Sequence, residues 1–136
     1  MWSPYTQDQI KKVEAVQRRA ARYATSRYNN TSSVTNMLDS LKWETLETRR
    51  TKVQLTIMYK ISKDLIDIPS DKYLEPATTR TRANHNAKYK HIYAKTNVYK
   101  FSFFPRTIAP WNALPAEIAE ASDLVSFKQR LLTHKI

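Results

Sequence analysis

The sequence predicts a mainly α fold: a small domain of about five helices, interrupted by a basic irregular segment. Three observations lead there. Apolar residues recur at three-to-four spacing in several separate windows. Ser, Thr or Asp stands before most of those windows, where an N-cap belongs. Period-two alternation is confined to one short stretch, residues 97–103. At 136 residues the chain suits a single domain, 1–136, with enough length to bury a core.

In order, Trp2-Ser3-Pro4-Tyr5 reads as an extended lead-in, because Pro4 disfavours helical backbone at Ser3. Thr6 caps a first helix, about 6–25, with Gln9 in capping-box position. Its apolar face is Ile10, Val13, Val16, Ala20 and Tyr23, and Asn29-Asn30 is placed to end it. A second helix, about 33–41, turns Val34, Met37, Leu38 and Leu41 to one side. The third, about 45–66, is capped by Thr45 and striped by Leu46, Val53, Ile57, Ile61 and Leu65. Residues 69–98 form an irregular basic segment, long for a loop inside a compact domain. Alternation at 97–103 fits a short β-strand or hairpin, with Val98 out of phase. Short helices then complete 99–134. Ile108, Trp111 and Leu114 share a core face interrupted by Pro110, which predicts a kink or restart there. Ser122 or Asp123 caps a last helix with Leu124, Phe127 and Leu131 inward.

Composition narrows the chemistry. Without Cys there is no disulfide, thiolate metal site or cysteine nucleophile. Without Gly there is no glycine-rich phosphate loop and no nucleophile elbow. His85, His91 and His134 lack the spacing of a helical metal pair. Asp64 and Asp67, three apart, are placed to share a helix face but have no further group converging on them. The reading is therefore a chain that is not an enzyme by itself and needs no cofactor or metal. No run reaches the roughly 18 apolar residues of a membrane span. The start of the chain lacks the charged-then-apolar pattern of a secretory signal, so an intracellular setting, nuclear or cytoplasmic, is expected.

The formal charge is +11. It is concentrated in residues 1–30, at net +4, and 71–106, at net +6, while 107–136 are neutral. Such a charge on a small protein attracts polyanions, nucleic acid first. Arg80, Arg82, Lys88, Lys90, Lys100 and Arg106 alternate with Tyr89, Tyr93 and other aromatics. Cations neutralise phosphates, and tyrosine faces stack on unpaired bases. On the first helix Lys11, Arg18, Arg19 and Arg22 make a second cationic group. These twelve residues are the candidate nucleic-acid contacts.

Four blocks also carry a resemblance. Trp-Ser-Pro-Tyr at 2–5 with Val-Gln-Arg-Arg-Ala-Ala-Arg at 16–22 resembles the region after the polymerase core of LINE-type (non-LTR) retrotransposon reverse transcriptases, in the clades that include jockey and chicken-repeat elements. Leu-Lys-Trp-Glu-Thr-Leu-Glu-Thr-Arg-Arg at 41–50 is similar to that family's Leu-x-Trp/Leu-x-x-Leu-x-x-Arg-Arg segment. Residues 103–115, ending Trp-Asn-Ala-Leu-Pro, resemble its aromatic-Arg-Trp-Asn-x-Leu-Pro block, with Pro110 in place of a polar residue. Ser126-Phe127-Lys128-Gln129-Arg130-Leu131 resembles its closing Ser-Phe-Lys-x-Arg-Leu.

The resemblance implies a segment C-terminal to fingers, palm and thumb, in a parent that copies element RNA into DNA. The paired-aspartate polymerase motif is missing from this chain, so polymerase activity does not transfer to it. A role in holding template RNA or target DNA near the polymerase core does. The competing reading is a structural or protein-interaction module that packs on the polymerase or self-associates, with Trp2 and Tyr5 as contacts.

Overall fold

The computed structural model describes residues 3–29, 31–78 and 85–136, and all structural statements concern those residues. They form eight helices and one isolated antiparallel bridge, Pro76 to Tyr89. The mainly α class is as the sequence predicts. The helices are α1 (Gln7–Thr25), α2 (Val34–Ser40), α3 (Leu46–Ser62), α4 (Ser70–Tyr73), α5 (Asn97–Lys100), α6 (Phe103–Asn112), α7 (Ala116–Ala119) and α8 (Leu124–Thr133). No helix among the described residues is long and apolar enough to cross a membrane. The chain divides into two compact units, Met1–Arg50 and Thr51–Ile136.

In the first unit α1 packs on α2, and Ala21 and Met37 are fully buried. Thr6 caps α1 by accepting from the Gln9 amide, and Ser33 caps α2 from the Asn36 amide. The buried side of α1 is not the expected stripe. Val16 and Tyr23 are 61% and 78% exposed, whereas Gln17 is buried. Two polar side chains turn the helix this way. Gln17 Nε2 donates to the Glu44 carbonyl at 2.7 Å. The Glu14 carboxylate accepts the Leu46 and Glu47 amides and lies 3.6 Å from the Arg50 guanidinium. A carboxylate over the first amides of α3 satisfies orphan donors and complements the positive end of that helix. Thr45 Oγ1 completes the cap through the Thr48 amide.

The first three helices end alike, in a chain with no Gly. Ser26, Lys42 and Asp64 take positive φ, at 53°, 54° and 51°. At each site the next residue donates five positions back: Arg27 to Arg22, Trp43 to Leu38, Leu65 to Lys60. That is the Schellman closure, with Ser, Lys or Asp where Gly ordinarily stands. It places the end of α1 at Thr25 and sets Ser26, not Asn29, as the left-handed residue. It also stops α3 at Ser62, short of Leu65, which is 54% exposed.

The second unit holds the main core. Leu55, Met58, Tyr59 and Ile61 of α3 meet Ile108 and Trp111 of α6, Leu114, Ile118, and Phe127 and Leu131 of α8. Tyr59 stacks on Phe127 at 4.3 Å, and its hydroxyl donates to the buried Ala121 carbonyl at 2.7 Å. The buried face of α3 is thus centred on Leu55, Met58 and Tyr59. Of the expected stripe Ile61 is buried and Ile57, partly buried, packs against the core, whereas Val53 is 49% exposed.

Two local expectations need correcting. Residues 97–103 hold no strand; Thr96 caps the single turn α5 by accepting from the Tyr99 amide. A polar cap ahead of Asn97 serves a turn of helix, and no neighbouring strand offers a ladder. α6 runs as one element through Pro110, so of the two expected outcomes the restart is excluded. Pro110 removes one donor only two residues before the helix ends, and the burial of Ile108 and Trp111 on either side holds the turn closed.

The irregular segment is fastened to α6. Trp111 Nε1 donates to the Ala87 carbonyl at 2.7 Å. Asn112 accepts from the Tyr89 amide at 3.0 Å and donates to the Tyr89 carbonyl at 2.7 Å. His85, 3% exposed, sits edge-on to Trp111 with Nε2 3.0 Å from the Trp111 carbonyl. A carbonyl only accepts, so the proton is on Nε2, and Nδ1 is buried with no partner. Burial pushes the imidazole below its ordinary 6.5, opposed by the Trp111 carbonyl and Glu120 and reinforced by Lys88.

Two predictions follow from these ends and fasteners. Lys42→Gly should stabilise the protein by about 0.5–1 kcal/mol, the left-handed strain relieved less the added chain entropy of Gly. Thermal unfolding by circular dichroism measures it, and Lys42→Val should lower the midpoint instead. The second concerns pH. A histidine depressed in the folded state leaves the unfolded chain binding more protons below about 6.5. Stability should therefore decline as pH falls from 7 toward 5.5. His85→Gln keeps a donor to the Trp111 carbonyl and should flatten that decline in urea titrations.

Candidate nucleic-acid interface

The cationic residues of α1 divide by helical geometry. Lys11, Arg18 and Arg22 lie within about 40° of one another around the axis, at about 100° per residue. Arg19 is turned away from them, on the side of Lys12. Lys11, Arg18 and Arg19 are exposed, and Lys12 pairs with Asp8 at 2.8 Å. Arg22 is half-buried in the last turn of α1, where its charge suits the helix dipole, and its Nε is buried without a partner. Lys11, Arg18 and Arg22 can therefore meet one phosphate track, with Arg19 off it.

The second unit carries the richer site. Glu75 and Lys90 face each other across the bridge: Lys90 N donates to the Glu75 carbonyl at 2.8 Å, and Lys90 Nζ lies 3.0 Å from the Glu75 carboxylate. Beside this pair opens a cleft of about 320 Å³. Lys72, Tyr73, Lys90, His91 and Tyr99 line it, together with the carboxylates of Asp71 and Glu75. One face of Tyr73 stacks on Phe104 at 4.9 Å and 8°, and Lys72 Nζ sits 5.6 Å from the Tyr73 ring centre. Tyr99 is 48% exposed and Tyr93, nearby in sequence, is 86% exposed. Lys100 Nζ lies 5.7 Å from the Phe101 ring centre.

The remaining candidates are distributed around this cleft's unit. Tyr89 is half-buried against Trp111, ring centres 6.4 Å apart, and burial pushes its phenol up while a hydrogen bond with Ser62 opposes. Its backbone is held by Asn112, so its part is in the fastening, and Tyr93 is the tyrosine with open faces. Lys88 is half-buried next to it, and Arg106 is half-buried on α6. Arg80, Arg82 and Trp2 lie outside the described residues.

Sequence reasoning missed Lys72, Tyr73 and Tyr99 as one site and set His91 aside as a lone residue. A signal was present: Lys72-Tyr73 and Tyr99-Lys100 repeat the Lys-Tyr adjacency of 88–90. Their meeting depends on the Pro76–Tyr89 bridge, which no local pattern announces. Asp64 and Asp67 share no helix face, since α3 ends at Ser62. Among the described residues no three His, Asp or Glu side chains gather to hold a metal ion.

No family model, no curated protein and no solved structure matches this chain.

The Glu75 carboxylate competes with any phosphate for Lys90. Glu75→Gln should leave the bridge intact and free that ammonium. If Lys90 meets nucleic acid, single-stranded RNA affinity should rise about two- to fivefold at low salt, read by fluorescence anisotropy.

Proposed function

We propose that this chain is a non-catalytic nucleic-acid-binding segment, acting as the post-polymerase part of a LINE-type reverse transcriptase. In that setting it holds template RNA or target DNA near the polymerase. The observation that carries the binding reading is the cleft beside the Pro76–Tyr89 bridge. There Lys72, Lys90 and His91 stand with Tyr73 and Tyr99, and the open Tyr93 is close in sequence. Cations fix a backbone without reading sequence, and tyrosine faces accept any unpaired base. That pairing of groups favours single strands over duplex. The placement within a reverse transcriptase rests on the four sequence blocks alone. The contacts proposed for phosphate are Lys90, Lys72 and Lys100 in the second unit, and Lys11, Arg18 and Arg22 in the first. Tyr93 and Tyr99 are proposed for stacking.

The test is a titration of the chain against labelled single-stranded RNA across salt concentrations. With about four to six phosphates neutralised, the logarithmic salt slope should be about −3 to −4. Tyr93→Ala and Tyr99→Ala should each cost roughly 1–3 kcal/mol without altering that slope. Replacing Lys72, Lys90 and Lys100 with Ala should flatten the slope and weaken all sequences alike. Undetectable affinity at low salt, or affinity indifferent to salt, would remove the nucleic-acid reading.

A further inference from the structure

A second surface of Thr51–Ile136 has a different chemistry. Between α3 and α8 runs a groove of about 380 Å³. Val53 and Ile57 from α3, and Leu131 and Leu132 from α8, give it apolar walls, and Lys60 and Lys128 line it beside them. Val53 is 49% exposed and Leu132 66%. Val125, 63% exposed, continues the line, since positions 125, 128 and 132 share one face of α8. On that helix Val125 and Leu132 thus stand about 10 Å apart, near two helical turns, with Lys128 between them. The groove is built rather than incidental. Lys52, 7% exposed, reaches from α3 to donate to the Leu132 carbonyl at 3.1 Å, which ties the end of α8 to α3.

We propose that this groove docks an amphipathic helix of a partner protein, with acidic residues flanking its apolar stripe. Charge decides the occupant. Among the described residues lining the groove none is acidic, and three are lysines. An apolar stripe flanked by Glu or Asp matches both the walls and the cations. A second copy of this chain fits badly. Its exposed apolar helix side, Val16 and Tyr23 on α1, is bordered by Lys12 and Arg19, which would meet Lys60 and Lys128 as like charges. Single-stranded nucleic acid fits badly too, because no aromatic ring lines the groove for a base to stack on. The surface is independent of the nucleic-acid cleft: none of its lining residues belongs there.

The test uses the whole chain and two fluorescent peptides of about 18 residues. Both carry leucines at i, i+3, i+4 and i+7; one is flanked by Glu and the other by Lys. The Glu-flanked probe should bind at least about tenfold tighter. Leu132→Asp, at an exposed position, should reduce that binding about tenfold or more while leaving the circular dichroism unchanged. Lys60→Glu with Lys128→Glu should reverse the preference between probes. Arg27→Glu with Lys42→Glu makes the same change in net charge elsewhere and should leave affinity within about twofold. The proposal is overturned if both probes bind equally, if Leu132→Asp binds as before, or if the two charge-reversal pairs act alike. It is likewise overturned if dodecanoate binds and neither peptide does, or if sedimentation shows a dimer that Leu132→Asp dissolves. An RNA affinity that falls in Leu132→Asp would assign the groove to nucleic acid instead.

Discussion

Trp111 enters the core of Thr51–Ile136 with its one polar atom already committed. Its indole N–H is taken by the Ala87 carbonyl, its own carbonyl accepts from His85, and the next residue, Asn112, closes both backbone groups of Tyr89. A buried indole contributes roughly 150–250 Å² of surface, or about 4–6 kcal/mol at about 25 cal/mol/Å². That figure is secure only while the N–H is satisfied, because an unpaired buried donor costs about 1–3 kcal/mol. The irregular segment therefore supplies what the core tryptophan needs, and the tryptophan, with the buried Leu74, gives the segment a deep anchor. Each depends on the other. Lys90 and Glu75, and through them the cleft, inherit their places from that arrangement, since Tyr89 is both the bridge partner of Pro76 and the residue Asn112 holds.

The absence of Gly imposes a second constraint. Three helices must turn into αL backbone using residues with a Cβ, at about 1–2 kcal/mol each. The chain accepts that strain because each closure captures carbonyls that would otherwise be orphaned, and each is followed by a residue that redirects the chain. Polar residues at these positions also leave the helix ends without a sequence mark. Gly after a periodic stripe is the usual mark of a C-terminus. Ser26, Lys42 and Asp64 carry no such mark, so periodicity carries α3 on to about residue 66; α1 ends at Thr25 as its stripe indicates, although Asn29-Asn30 looks like the stop signal.

What was legible in the sequence were features fixed by local chemistry. Thr6 and Thr45 act as N-caps where expected, Asp123 is the one of the Ser122-Asp123 pair that caps the last helix, and Ile108, Trp111, Leu114, Phe127 and Leu131 are buried as their spacing indicates. What was not legible depended on partners far along the chain. Glu14 and Gln17 rotate α1 away from its apolar stripe because the turn at 44–47 needs an anion and a donor, more than thirty residues from Glu14. The same holds for the cleft. Lys72 and Tyr73 meet Lys90 and Tyr99 only once the bridge has formed. Tyr89, equal to Tyr93 on paper, is drawn inward by Asn112 and Trp111, while Tyr93 stays open.

The exposed apolar residues sort in an instructive way. On α1 they are Val16 and Tyr23, among cations; on α3 and α8 they are Val53, Val125 and Leu132, again among cations. On α1 and α3 part of the stripe that periodicity assigns to the core is displaced from it, while on α8 Phe127 and Leu131 of the assigned stripe are buried and Val125 and Leu132 lie beside them. On α1 the polar contacts of Glu14 and Gln17 displaced it. On α3 the broad packing face of Leu55, Met58 and Tyr59 did so, leaving Val53 and Ile57 at the edge, where α8 meets them as one wall of a groove. An apolar stripe left in water has a standing cost of about 25 cal/mol for each Å² it could still bury. Covering it requires a partner that also answers the neighbouring lysines, and a polymer of phosphates answers only the charge. Phosphate and base chemistry suit the tyrosine-lined cleft; aliphatic walls with flanking ammonium groups suit a helix bearing carboxylates. The two surfaces differ in kind, and one ligand does not satisfy both.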